Sequence, residues 1–295
     1  MISEKKFKIW VQAARPQTLP AAFVPVLVGS SLAARYDQIN WPVTGMALLC
    51  AFLIQIGTNF ANDYFDYVKG ADTDERIGFE RATATGQIDD QQMLAATLIT
   101  MSLAFICGLY IVWNTSWVVL AIGIFCIVCG ILYTGGPYPL GYHGLGDIFV
   151  FVFFGIIAVT TTYYINVLHW SMTSFWASVA VGALAIDILV VNNLRDIEQD
   201  RPAGKNTLGV LFGEDVLRWE YVIMLLIAFA IPLYFFAGLQ YNGLIFLPFL
   251  SLPFAGLLIK KIWTAPKHKL DDTLKRTGIF MTVFCILFSV GILTA

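Results

Sequence analysis

The chain has 295 residues, 58% of them hydrophobic and only 13% charged, with a formal net charge of −2. A soluble domain carries roughly 45–50% apolar and about 25% charged residues, so this composition excludes an ordinary soluble protein and implies an all-α polytopic membrane protein. The net charge decides little, because the charges are segregated into short blocks; no nucleic-acid partner is expected.

Met1 to Lys8 is polar and basic, and no short apolar core followed by small residues marks a cleavable signal. A membrane helix needs about 20 apolar residues. Nine candidate spans follow, at 17–36, 43–66, 93–113, 117–135, 147–167, 174–195, 216–238, 243–262 and 277–294. Alternating ten-residue strands are absent, which leaves helices rather than a barrel. The first span opens with Arg15-Pro16-Gln17-Thr18-Leu19-Pro20, a helix start that sets a cation at the interface. The second ends in Asn59-Phe60-Ala61-Asn62-Asp63-Tyr64-Phe65-Asp66. Between the fourth and fifth lies Gly135-Gly136-Pro137-Tyr138-Pro139-Leu140-Gly141, which reads as an ordered turn, flanked by Tyr133, His143 and Asp147. The sixth carries Asp187 in its interior and ends in Asn192-Asn193-Leu194-Arg195-Asp196-Ile197-Glu198-Gln199-Asp200. Cys50, Cys107, Cys126, Cys129 and Cys285 all fall in apolar runs. The CxxC at 126–129 has no His or Cys partner nearby, so all five read as small buried hydrophobes. Residues 1–295 are read as a single transmembrane domain.

Cationic residues set the orientation. With the N-terminus in the cytoplasm, the cytoplasmic segments are the N-terminus, 67–92, 136–146, 196–215 and 263–276. Of the 18 Lys and Arg residues, only Arg35 then falls on the opposite side. A missed or invented span would scramble this separation, so it supports both the count and the orientation.

A carboxylate in a membrane helix is costly and marks a functional site by default. Here two acidic clusters end two long hydrophobic runs in similar positions. On a helix, Asn59, Asn62 or Asp63, and Asp66 share one face, and Asp72 and Asp74 follow Gly70, where the helix should stop. Asn192, Asp196 and Asp200 form a second stripe. Capping and interfacial solvation account for one such cluster more readily than for two. Oxygen ligands suit a hard cation. Mg²⁺ takes one or two carboxylates and completes its shell with water and phosphate oxygens. Two half-sites facing each other across a diphosphate are therefore expected. Arg can grip a phosphate bidentately and Lys as a point charge. The cations embedded in these segments are Arg81, Arg195 and Lys205.

The strings Asn62-Asp63-Tyr64-Phe65-Asp66 and Asp196-Ile197-Glu198-Gln199-Asp200 resemble the paired motifs of the UbiA superfamily of intramembrane prenyltransferases, which follow its second and sixth helices. Arg15-Pro16-Gln17-Thr18-Leu19, Lys69-Gly70-Ala71-Asp72, Tyr133-Thr134-Gly135-Gly136-Pro137, Gly144-Leu145-Gly146-Asp147 and Gly204-Lys205-Asn206-Thr207-Leu208 extend the resemblance over nearly the whole chain. They are most similar to the branch that uses 1,4-dihydroxy-2-naphthoate in menaquinone biosynthesis.

The resemblance implies about nine transmembrane helices around a central cavity, in the bacterial cytoplasmic membrane. It implies transfer of a polyprenyl group from polyprenyl diphosphate to 1,4-dihydroxy-2-naphthoate, with loss of CO₂. Mg²⁺ would be held by Asp63, Asp66, Asp72, Asp196 and Asp200, with Asn62 and Asn192 adding neutral oxygens. Asp66 and Asp196 would be catalytic, and Tyr133 would lie near the reacting carbon. Arg81, Arg195 and Lys205 would stabilise the leaving pyrophosphate, and Arg15 and His143 complete the expected substrate contacts. The 4-hydroxybenzoate branch tends to carry Lys or Arg after its Y-x-x-P-P turn, where this chain has Tyr142-His143. That departure argues against a benzoate acceptor. Homogentisate, chlorophyllide or haem acceptors, or a membrane transporter for an anion or divalent cation, are the alternatives. Transporter sites tend to lie at the midplane on broken helices, whereas both clusters here end their spans.

Overall fold

Short polar side chains set where several helices begin. Asn40, Asp89, Ser116, Ser171, Thr207 and Asn242 each accept a backbone N–H from the first turn that follows, satisfying donors that a helix start leaves open. The computed structural model describes residues 4–36, 38–71, 78 and 81–294. Its helices are α1 (Glu4–Ala13), α2 (Pro20–Ala34), α3 (Trp41–Val68), α4 (Asp90–Asn114), α5 (Trp117–Leu132), α6 (Gly146–Val150), α7 (Ala158–Val167), α8 (Met172–Asp200), α9 (Leu208–Phe212), α10 (Glu214–Leu239), α11 (Leu252–Thr264) and α12 (Leu270–Thr294). A π-helical stretch, Phe151–Ile157, joins α6 to α7, and a 3₁₀ stretch, Gly243–Ser251, leads into α11.

Each of the nine expected spans coincides with helix, but the count of full-length spans is smaller. Among the described residues, seven helical segments are long and apolar enough to cross a membrane. The first expected span is half of a bent pair, Glu4–Thr18 and Pro20–Ala34, which meet at 50°. Pro16 and Pro20 lack the N–H that would continue the helix, and Arg15 takes a left-handed backbone between the two parts. The fourth, α5, has 16 residues. It is about 24 Å long at 1.5 Å per residue, short of a hydrocarbon core of about 30 Å.

The two helices that end in acidic clusters sit in different surroundings. α3 packs on α4, α5 and α2, while α8 packs on α10, α12, α2, α7 and the π stretch. The apolar window of α8 is 78% buried, against 33% for α3, so α8 is the central helix of the bundle. Ala177, Ala180, Val181, Ala183, Leu184, Val190 and Val191 give it a buried surface on most of its circumference. A helix that is apolar all round belongs in an interior.

Loops alternate between the two ends of the bundle. At one end Arg35 donates to the Ile292 carbonyl at 3.1 Å and lies 4.3 Å over the Tyr241 ring. The Asn40 N–H donates to Asn166 Oδ1 at 2.7 Å, and Asn242 caps Thr294. At the other end the segments following α3, α5 and α8 and the start of α12 come together.

Candidate functional site

Both acidic stripes line one cavity of about 400 Å³. Asn59, Asn62, Asp63 and Asp66 reach it from α3, and Asn192, Asp196 and Asp200 from α8. Arg15, Arg81, Tyr133, Tyr142, Arg195 and Lys205 also line it. Away from these polar residues the wall becomes apolar, with Val26, Ile54, Ile122, Phe153, Ile157 and Ile165. Cys126 and Cys129 lie in that apolar wall, and all five cysteines are free thiols.

Asp66 is the most heavily engaged carboxylate. It is 1% exposed, and residues from three separate loops converge on it. Tyr142 donates its hydroxyl to Oδ1 at 2.8 Å, Lys205 Nζ donates to Oδ2 at 2.9 Å, and Arg81 Nη2 stands 3.5 Å from Oδ2. Charge-assisted bonds of this kind are stronger than neutral ones. Tyr142 in turn lies between two lysines, with Lys69 and Lys205 nitrogens 5.1 and 4.9 Å from its ring centre. Lys69 also donates to the Thr134 carbonyl at 2.6 Å. Burial of the Lys69 ammonium lowers its pKa, the nearby Asp66 carboxylate opposes this, and Lys205 adds to it.

Asp63 does something different. Its Oδ2 and Oδ1 accept the backbone N–H groups of Ala82 and Thr83 at 3.2 and 3.1 Å. It thereby anchors the segment that brings Arg81 to Asp66. Asn62 accepts from the Thr134 hydroxyl at 2.7 Å. Asn59 and Gln55 donate to Thr18 Oγ1 at 3.1 and 3.0 Å. These bonds fasten α3 to the bend that carries Arg15.

In the second stripe Arg195 grips Asp196 with two bonds, Nε to Oδ1 at 2.6 Å and Nη2 to Oδ2 at 2.8 Å. Nη2 also donates to Asn192 Oδ1, and Nη1 to Asp271 Oδ1. Arg195, expected to face a leaving pyrophosphate, therefore turns most of its donors to protein partners.

One other expectation changes. His143 lies outside the cavity: it is exposed, stacks on Tyr138 with ring centres 3.6 Å apart, and pairs with the Pro139 carbonyl. Its neighbour Tyr142 is the residue of that turn that reaches the acidic cluster. Asp72 lies outside the described residues. Tyr133 lines the cavity, with Gly141 and Gly146 packed so closely on its ring and hydroxyl that an added Cβ would stand 2.9 and 3.0 Å away. Asp187 is fully buried, and neither it nor Asp147 lines the cavity.

The candidate ligands in the two stripes are carboxylate and amide oxygens, as a hard cation requires. Among the described residues no three His, Cys, Asp or Glu side chains cluster closely enough to hold a metal by themselves. The arrangement fits Mg²⁺ in the form that takes one or two carboxylates per ion and fills its shell with substrate oxygens and water. It does not fit an all-protein cage.

Comparison with known proteins gives consistent matches over most of the chain. The model described as the UbiA prenyltransferase family matches residues 22–288. A Haemophilus influenzae protein named 1,4-dihydroxy-2-naphthoate octaprenyltransferase is 36% identical, over 99% of this chain and 98% of its own length. Proteins of the same name from Bacillus subtilis and Escherichia coli are 32% and 40% identical, over 97% and 74% of this chain and 92% and 72% of theirs. Among solved structures, a UbiA homolog from Archaeoglobus fulgidus bound to GPP and Mg²⁺ superposes with a TM-score of 0.69 at 15% identity, covering 97% of this chain and 100% of that one. An apo UbiA homolog from Aeropyrum pernix gives 0.67 at 12% identity, covering 94% and 96%.

Proposed function

The chain belongs to the UbiA prenyltransferase family, and we propose that it transfers a polyprenyl group from polyprenyl diphosphate to 1,4-dihydroxy-2-naphthoate. One observation carries the reading: carboxylates from both stripes and the cations Arg81 and Lys205 share one cavity whose remaining wall is mostly apolar. A diphosphate needs the first part and an isoprenoid chain the second. The names of the relatives favour the naphthoate acceptor over homogentisate, 4-hydroxybenzoate, chlorophyllide or haem. Family membership sets the transporter alternative aside.

Asp66, Asp196 and Asp200 are the residues that would hold Mg²⁺, with Asn62 and Asn192 as neutral oxygen donors. When bound, the ion supplies positive charge against the diphosphate and eases its departure. Arg81 and Lys205 add fixed positive charge beside Asp66, where negative charge develops on the leaving pyrophosphate. The allylic C–O bond breaks, its electron pair leaves with pyrophosphate, and the naphthoate ring carbon supplies the pair for the new C–C bond. The acceptor's carboxylate then leaves as CO₂. Phe153, Ile157 and Ile122 keep water from the allylic cation, and Tyr133 offers it a π-face. Arg15 lines the same cavity. Asp63 serves by anchoring the 82–83 backbone.

The protein is integral to the membrane, and the charge map orients its N-terminus and the site-bearing loops toward the cytoplasm. The whole of residues 1–295 acts as one transmembrane domain. Labelled polyprenyl diphosphate with Mg²⁺ and each aromatic acceptor in turn tests the activity. Prenylated, decarboxylated naphthoate is expected from the wild type and no product from Asp66→Ala or Asp196→Ala. Full activity in either variant, or product only from another acceptor, rejects the reading.

A further inference from the structure

Arg195 stands where three segments meet. Its Nε and Nη2 donate to the two oxygens of Asp196, Nη2 also to Asn192 Oδ1 at 3.0 Å, and Nη1 to Asp271 Oδ1 at 2.5 Å. A guanidinium has five N–H donors, and these four bonds occupy most of them. The side chain is 4% exposed. Gly78, from the segment that follows α3, lies against it: a Cβ at that position would stand 2.7 Å from Arg195 Nε. Gly78 also has φ +119, a backbone that side-chain-bearing residues rarely adopt. The planar fork that could grip a diphosphate is thus turned onto Asp196 and covered from the other half of the chain.

We propose that Arg195 is a positioning residue rather than a diphosphate ligand, that it fixes the Asp196 carboxylate, and that Asp271 and Gly78 hold Arg195 in turn. The proposal rests on the prenyl-transfer reading of the site. A carboxylate accepts at about four lone-pair positions, and Arg195 takes two of those of Asp196, which also lines the cavity. Partners behind a ligating carboxylate fix its orientation. Charge points the same way. Arg195 offsets one of the two carboxylates, Asp196 and Asp200, that this stripe presents, and Asp271 offsets Arg195 in turn. Without Asp271 the half-site attracts a divalent cation less.

The test uses the full chain in detergent, with Mg²⁺ titrated against inorganic pyrophosphate by calorimetry and prenyl-transfer kinetics measured in parallel. Asp271→Asn is expected to raise the half-saturating Mg²⁺ concentration roughly 10-fold, the scale for losing an outer partner of a ligating carboxylate, with the acceptor KM unchanged. Asp271→Glu is expected to recover most of the loss. On an Arg195→Gln background, Asp271→Asn should add nothing, because both act through one contact. Gly78→Ala should shift Mg²⁺ dependence in the same direction, and it carries the test if Asp271→Asn does not fold. Additive effects of the Asp271 and Arg195 changes would overturn the proposal. So would an Arg195→Gln variant that loses pyrophosphate affinity at saturating Mg²⁺ with its Mg²⁺ half-saturation unmoved. Absence of Mg²⁺-dependent pyrophosphate binding by the wild type overturns it too. Binding without any prenylated product would instead reject the proposed function and leave this assignment standing.

Discussion

Asp66 accepts from Tyr142 and Lys205 and forms an ion pair with Arg81, residues that reach it from three loops. The sequence marks Asp66 and Lys205 by their motifs but offers no reason to prefer Tyr142 over its neighbour His143. A contact spanning 76 positions leaves no trace in local spacing. The exposed, stacked His143 could be judged only once the turn was folded. Tyr142→Phe removes one charge-assisted bond and leaves the ring between its two lysines. We expect kcat/KM to fall roughly 10- to 100-fold, in line with a hydrogen bond to a charged group of about 1.5–3 kcal/mol. His143→Ala should change it less than about twofold, since exposed polar groups away from a site contribute little. Steady-state kinetics on the two variants side by side checks both.

At the level of the helices, close crossings rest on glycine. A Cβ on Gly155, in the π stretch, would lie 2.7 Å from Gly182 Cα on α8, and one on Gly182 would lie 2.7 Å from the Phe151 ring. A Cβ on Gly29 of α2 would meet the Val159 carbonyl oxygen at 2.6 Å. Small residues let membrane helices approach closely where lipid supplies no hydrophobic drive. Gly155→Val is therefore expected to cost about 1–3 kcal/mol, the usual scale of overpacking, and to lower the thermal midpoint in detergent. Gly45→Ala on α3, with open space around it, should instead be neutral or gain up to about 1 kcal/mol of helix propensity. If both melt alike, these crossings are not what holds α8 in place. The apolar runs in the sequence locate these helices well. They do not reveal the bend before α2 or the shortness of α5, because composition reports hydrophobicity and not where a helix turns.

Over the whole molecule, the contacts at Arg35, Asn40, Asn166 and Asn242 lie at one end, and those at Asp66, Lys205 and Asp271 at the other. That alternation matches the segregation of Lys and Arg read from the sequence. The proposed sidedness relative to the cell rests on the positive-inside rule. We expect a membrane-impermeant thiol reagent to label Lys269→Cys from the cytoplasmic face only and Gln38→Cys from the opposite face only. Each variant would be measured in right-side-out and inverted vesicles, and reversed labelling would reject the orientation.

Hydropathy by itself determines that this chain is helical and membrane-embedded, because about 20 consecutive apolar residues have no other stable home. Helical spacing by itself determines that each acidic cluster presents a stripe, because residues three and four apart share a face. Only the tertiary structure decides that both stripes line one cavity. It also decides which carboxylates remain turned toward that cavity and which hold the fold. Asp63 secures a backbone, Asp66 gathers three loops, and Asp196 is gripped by Arg195, which Asp271 and Gly78 steady from distant parts of the chain. Residues of the same type carry the same charge and the same local pattern. Their different work comes from partners brought near by packing, and packing depends on the whole chain at once.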